Sequence, residues 1–195
     1  MKKRICVFAS SSNKIDEVYF SEAKEIGNLI VKNGFDFVYG AGSVGTMYAS
    51  ALTAKEQGAK IYGVIPKRLT GIGVDWEDCD EYIVTDCMAS RKKKMRELAD
   101  AFVALPGGFG TLEEILEVIT LKQLGYHSKP IVFLNTNDFY SNLFAQFNVF
   151  YEMNFARKES ENLYYIAKNP KDAIEYIVNY KTPELQTEPF SKWAK

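Results

Sequence analysis

Unbroken apolar runs alternate with amphipathic stretches along most of this chain. Ile5-Cys6-Val7-Phe8-Ala9 is apolar throughout, the pattern of a strand buried on both faces of a parallel sheet. The polar turn Ser10-Ser11-Ser12-Asn13 follows it. Residues 17–32 carry helical periodicity and stop at Asn33-Gly34. Phe37-Val38-Tyr39 predicts a second strand. It runs into Gly40-Ala41-Gly42-Ser43-Val44-Gly45-Thr46 and a helix over 45–57 that Gly58 ends. Residues 60–66 predict a third strand, 67–80 an irregular segment and 81–84 a short strand. Thr85 or Asp86 can cap a helix over 87–99. Residues 101–105 and 129–134 read as strands, Asp138 as the cap of a helix reaching about 151, and 164–167 as an edge strand. Pro170 suits the first turn of a last helix ending near 180.

Strands alternating with helices predict an α/β fold, a Rossmann-like doubly wound parallel sheet with helices on both faces. One domain over 1–180 and an irregular tail over 181–195 account for the chain. Right-handed crossovers bring the turns after several strands to one sheet edge, where open parallel sheets bind ligands. Ser10 to Ser12, Gly40 to Gly45 and Gly107 to Gly110 should meet there. Two glycine turns at one edge suffice for a nucleotide-sized ligand.

The central stretch is Leu105-Pro106-Gly107-Gly108-Phe109-Gly110-Thr111-Leu112-Glu113-Glu114. An apolar strand precedes it and an apolar helix with acidic insertions follows. Glycines let the backbone approach a ligand, and the helix N-terminus beyond them favours an anion such as phosphate. No Gly-Lys-Ser/Thr follows, so this is not a Walker loop. Thr111 and Glu114 have capping-box spacing, with Thr111 as cap. The expected apolar face of the helix is Leu112, Ile115, Leu116 and Ile119. Glu113, Glu114 and Glu117 lie off it, toward the cleft or solvent.

Arg91 sits in Met88-Ala89-Ser90-Arg91-Lys92-Lys93-Lys94-Met95. A solvated basic run is one reading. The spacing of Met88, Arg91, Met95 and Leu98 supports another, because it puts Arg91 on an inward stripe with an anionic partner. Lys92 flanks that stripe, and Lys93 and Lys94 face solvent.

Charge and composition narrow the chemistry. Lys+Arg 24 against Asp+Glu 25 gives a net charge of -1, which argues against nucleic-acid or membrane-surface partners. The apolar run behind Met1-Lys2-Lys3-Arg4 is too short for a signal peptide or a membrane span. Cys6, Cys79 and Cys87 lack metal or redox spacing and fit a reducing cytoplasm. His127 is the only histidine and follows a helix end, where a structural role is common. No metal site and no organic cofactor is expected. Tyr164, Tyr165, Phe144, Phe147 and Phe150 read as core or interface rather than as a stacking platform.

Gly40-Ala41-Gly42-Ser43-Val44-Gly45, Met88-Ala89-Ser90-Arg91-Lys92, Pro106-Gly107-Gly108-Phe109-Gly110-Thr111-Leu112-Glu113-Glu114 and Leu124-Gly125-Tyr126-His127-Ser128-Lys129-Pro130 resemble the LONELY GUY family. Its members are cytokinin riboside 5′-monophosphate phosphoribohydrolases, often mislabelled lysine decarboxylases. The resemblance covers about residues 4–180. It departs at Ala41, where the family often has glycine, at the histidine missing from the Met88 to Lys92 motif, and in residues 67–80. This last segment bears on base preference.

The resemblance implies hydrolysis of the N-glycosidic bond of an adenine-type nucleoside 5′-monophosphate, with Arg91 and Glu114 as the catalytic pair. It implies a substrate-binding set of Gly42, Ser43, Gly45, Lys92, Gly107, Gly108, Gly110, Thr111 and Thr120. It also implies a homodimer or a multiple of one, with Leu121, Leu124 and the later aromatic helices as candidate interface. A molybdenum-cofactor or nucleotide carrier of related fold is the alternative. Lysine decarboxylation would need a pyridoxal phosphate lysine, and no lysine here stands in such a context.

Overall fold

The computed structural model describes residues 2–182. Seven strands form one sheet: β1 (Arg4–Phe8), β2 (Asp36–Tyr39), β3 (Ile61–Pro66), β4 (Glu81–Thr85), β5 (Ala101–Ala104), β6 (Ile131–Leu134) and β7 (Tyr165–Ala167). Their order is β4-β3-β2-β1-β5-β6-β7, and every pairing is parallel. The helices are α1 (Glu17–Lys32), α2 (Gly45–Glu56), α3 (Met88–Leu98), α4 (Phe109–Gln123), α5 (Ser141–Glu152) and α6 (Pro170–Asn179). This is the doubly wound sheet expected from the alternating pattern.

The apolar runs are unbroken because both sheet faces are covered. Ile5 and Val7 point into one core with Ala23, Ile26 and Ile30 of α1, Ala51 and Ala54 of α2, and Ile174 and Ile177 of α6. Cys6 and Phe8 point into the other, with Met95 of α3, Ile115 and Val118 of α4, and Phe147 of α5. Phe144, Phe147 and Tyr164 pack around Phe133 and Tyr140. Phe150 is more than one-third exposed.

Three local expectations change. Neither Thr85 nor Asp86 caps α3. Cys87 does, its sulfur accepting the Ser90 N–H while the Ser90 hydroxyl accepts the Cys87 N–H. Asp138 does not cap α5 either. Asn137 and Asp138 adopt φ of 50° and 57° in a 3₁₀ turn over Thr136–Asp138. The Asn135 carboxamide oxygen instead accepts the Tyr140 N–H at 2.8 Å. Lys94 is half-buried rather than exposed. Among the described residues no helix is long and apolar enough to cross a membrane. Most of the tail expected to be irregular, residues 183–195, lies outside the described residues.

Candidate active site

The strand order reverses between β1 and β5, so the crevice beyond their carboxyl ends is the topological switch point. The loop after β1 is tied to the start of α2. Ser10 N–H donates to the Thr46 hydroxyl at 3.2 Å, Gly45 N–H to Asn13 Oδ1 at 2.8 Å and Met47 N–H to the Ser10 carbonyl at 3.1 Å. Gly45 has φ of +72°, and a Cβ there would strike the Ser10 carbonyl, so this close approach requires glycine. Gly42 and Ser43 lie in the same turn.

Arg91 and Glu114 meet across α3 and α4. Arg91 is 8% exposed. Its Nε donates to the Val64 carbonyl at 3.0 Å, and its Nη1 to Glu114 Oε1 at 2.5 Å. The inward stripe therefore holds for Arg91 and Met95, while Met88 is exposed. A Cβ on Gly40 would occupy the space of the Arg91 guanidinium, so the glycine turn after β2 makes room for this side chain. Burial raises the proton affinity of Glu114, and the Arg91 charge and hydrogen bond oppose that rise.

The capping-box expectation for Thr111 and Glu114 is overturned. α4 begins at Phe109 with Gly108 as its N-cap, and no side chain caps it. Thr111 is buried inside the first turn, and Glu114 lies a further turn along. The reason is the position of the inward face. Thr111, Ile115, Val118 and Lys122 are buried, while Leu112, Leu116 and Ile119 only flank the core. Glu114 is three residues from Thr111 and four from Val118, so it belongs to the inward side. Its side chain is 11% exposed. Gly108 and Gly110 face open space, leaving the start of α4 open to an anion.

Tyr140 is a residue that sequence reasoning missed. Its hydroxyl donates to the Leu105 carbonyl at 2.6 Å, and the Gly107 N–H faces the Tyr140 hydroxyl oxygen. It thus braces the glycine turn from α5. Nothing local in the sequence signals this, because the contact spans the fold from β5 to the α5 N-cap.

Residues 67–80 form a 3₁₀ turn (Lys67–Leu69) and a loop that closes over the other glycine turn. Ser43 N–H donates to the Val74 carbonyl and Trp76 N–H to the Ala41 carbonyl, each at 2.8 Å. Trp76 packs edge-on against Tyr39 and Tyr48. Leu69, Ile72 and Val74 are exposed.

The remaining expected site residues sit elsewhere. Lys92 is 14% exposed and pairs with Glu113 and, at 3.0 Å, with Glu117. Thr120 is exposed and donates to the Leu116 carbonyl at 2.9 Å. It lies nine residues beyond Thr111, about 14 Å along α4, so this chain does not bring it to the cluster. His127 is structural, as expected: Nε2 bonds to the Val118 carbonyl at 2.9 Å while Nδ1 accepts the Lys129 N–H.

Comparison with known proteins gives a consistent picture. A family model described as "Possible lysine decarboxylase" matches residues 44–177. The cytokinin riboside 5′-monophosphate phosphoribohydrolase LOG7 of Arabidopsis thaliana is 39% identical over 183 residues, 94% of this chain and 84% of that protein. The cytokinin riboside 5′-monophosphate phosphoribohydrolase LOG of Oryza sativa subsp. japonica is 37% identical over 92% of this chain and 76% of that protein. Among solved structures, the molybdenum cofactor binding protein from Rippkaea orientalis superposes with a TM-score of 0.69 at 25% identity, covering 91% of this chain and 96% of that one.

Proposed function

The chain belongs to the cytokinin riboside 5′-monophosphate phosphoribohydrolase family, and from that premise we propose that it hydrolyses the N-glycosidic bond of an adenine-type nucleoside 5′-monophosphate. The products are the free base and ribose 5-phosphate. The observation that carries this reading is the buried Arg91–Glu114 pair, held beside two glycine turns at a sheet switch point.

Each group has a physical role. The open N-terminus of α4 at Gly107, Gly108, Gly110 and Thr111 binds the 5′-phosphate, assisted by Gly42, Ser43 and Gly45 of the facing turn. The glycosidic bond breaks through an oxocarbenium-like state on the ribose. Glu114 stabilises that positive charge and orients or deprotonates the attacking water. Arg91 holds Glu114 in place and offers its remaining N–H groups to the phosphate or a ribose hydroxyl. Formation of free adenine and ribose 5-phosphate in equal amounts from AMP tests this reading.

The relatives favour an enzyme over a carrier. A carrier needs phosphate-binding turns, but it does not need a carboxylate buried against an arginine. Lys92, committed to Glu113 and Glu117, contributes to the field around the site. A direct phosphate contact would require it to leave both carboxylates.

The same reading includes self-association. Leu124 and Tyr126 at the C-terminal end of α4, and Met153 and Phe155 at that of α5, leave large apolar side chains exposed. A second copy of the chain is the proposed occupant. Sedimentation equilibrium should give a dimer or a multiple of one. A monomer at micromolar concentration would remove this assignment.

A further inference from the structure

The charges between α3 and α4 form two parallel stripes. Lys92 and Arg96 are four residues apart on α3, and Glu113 and Glu117 are four apart on α4, so each couple shares one helix face. These faces meet: Lys92 pairs with Glu113, Glu117 Oε2 lies 3.0 Å from Lys92 Nζ, and Glu117 Oε1 lies 2.9 Å from Arg96 Nη1. One step around each helix, Arg91 meets Glu114. Glu117 is thus the only one of these carboxylates with a cation at ion-pair distance from each oxygen. Lys92 and Arg96 are 14% and 19% exposed and Glu117 is 32% exposed, so the seam is more shielded than a surface ion pair.

Resting on the functional reading above, we propose that Glu117 is a positioning residue. By binding Lys92 and Arg96 together it holds these two cations away from the catalytic carboxylate and leaves Arg91 as its single cationic partner. Each stripe is then neutral: two cations face two carboxylates in the outer stripe, and one faces one in the inner. The groups facing Glu114 are Arg91 and Lys92 of α3, Glu113 of its own helix and the Cys6 thiol of β1. Arg91 and Lys92 lower its proton affinity, and Glu113 raises it. Without Glu117 the outer stripe has a surplus positive charge one helical turn from Glu114. Lys92, then held by Glu113 alone, can compete with Arg91 for that carboxylate.

The test is the acid limb of the pH profile of kcat/KM for AMP in Glu117→Gln. The surplus cation favours the Glu114 carboxylate, so the limb should move to lower pH by about half a unit or more. At pH 7, kcat should fall by about threefold to tenfold as Lys92 disturbs the Arg91–Glu114 geometry. Adding Arg96→Gln restores neutrality and should return the limb toward its parent position, which a merely structural role for Glu117 would not do. A limb that stays in place in Glu117→Gln, or a double variant as shifted as the single one, overturns the proposal. If the parent protein releases no base from AMP, the functional reading fails instead. The Glu114 carboxyl titration, followed by ¹³C NMR in parent and Glu117→Gln protein, still decides whether the seam sets its proton affinity.

Discussion

Glu114→Gln is expected to fold and to lose about two orders of magnitude or more in kcat. Glutamine keeps the shape of the side chain and can still accept from Arg91 Nη1. It cannot balance a ribosyl cation by charge or take a proton from water. Stability should also drop, because Arg91 is 8% exposed and loses its counter-charge. Fully stranding a buried charge costs on the order of 3–5 kcal/mol. The bonds to the amide oxygen and the Val64 carbonyl should reduce this to about 1–3 kcal/mol.

Adding Arg91→Gln to Glu114→Gln should recover stability without recovering activity, which separates the two effects. Glu113→Gln, at a half-exposed residue paired with Lys92, should be much milder. The parent pH profile should share the same origin. Burial raises the Glu114 pKa, with Arg91 opposing, and the carboxylate is the working form. Activity should therefore rise with pH through that raised value and be lost on its acid side. A Glu114→Gln variant that keeps more than about a tenth of parental kcat would move the catalytic carboxylate elsewhere.

Adenosine should be a much poorer substrate than AMP, by about two orders of magnitude in kcat/KM. The start of α4 has a glycine cap, no side-chain cap and open space at Gly108 and Gly110, an arrangement suited to an anion. Two charge-assisted hydrogen bonds from such a terminus are worth roughly 1.5 kcal/mol each or more, and about 3 kcal/mol is a factor near one hundred. Tyr140 makes this geometry durable by bridging the Leu105 carbonyl and the Gly107 N–H. Equal kcat/KM for the two substrates would mean that the turn does not hold the phosphate.

Much of this architecture is legible in the amino-acid pattern because parallel sheets bury both faces of their strands. Unbroken runs such as Ile5 to Phe8 and Phe102 to Leu105 mark those strands directly. The glycine turns show the carboxyl edge, and the spacing of Arg91 and Met95 shows which way the arginine points.

What escaped has a common cause in contacts between distant segments. Thr111 and Glu114 have the spacing of a capping box, yet the turn after β5 starts the helix at Phe109. That start rotates both residues inward. Asp138 looks like a cap in isolation, but the backbone there turns left-handed and α5 starts after Tyr140 with no side-chain cap. Residues 67–80 carry no periodicity, so their attachment to Ala41 and Ser43 cannot be read locally. Lys92 reads as flanking the inward stripe of α3, but its partners Glu113 and Glu117 emerge only when α4 packs against it.

The central claim is that this site cleaves a nucleotide rather than storing one. The most direct measurement is chromatography of AMP incubated with the parent protein and, in parallel, with Glu114→Gln. The parent should convert AMP to adenine and ribose 5-phosphate in equal amounts over many turnovers, while the variant leaves AMP almost unchanged. Recovery of intact AMP bound to the parent protein, with no free adenine, would contradict the account and identify a carrier.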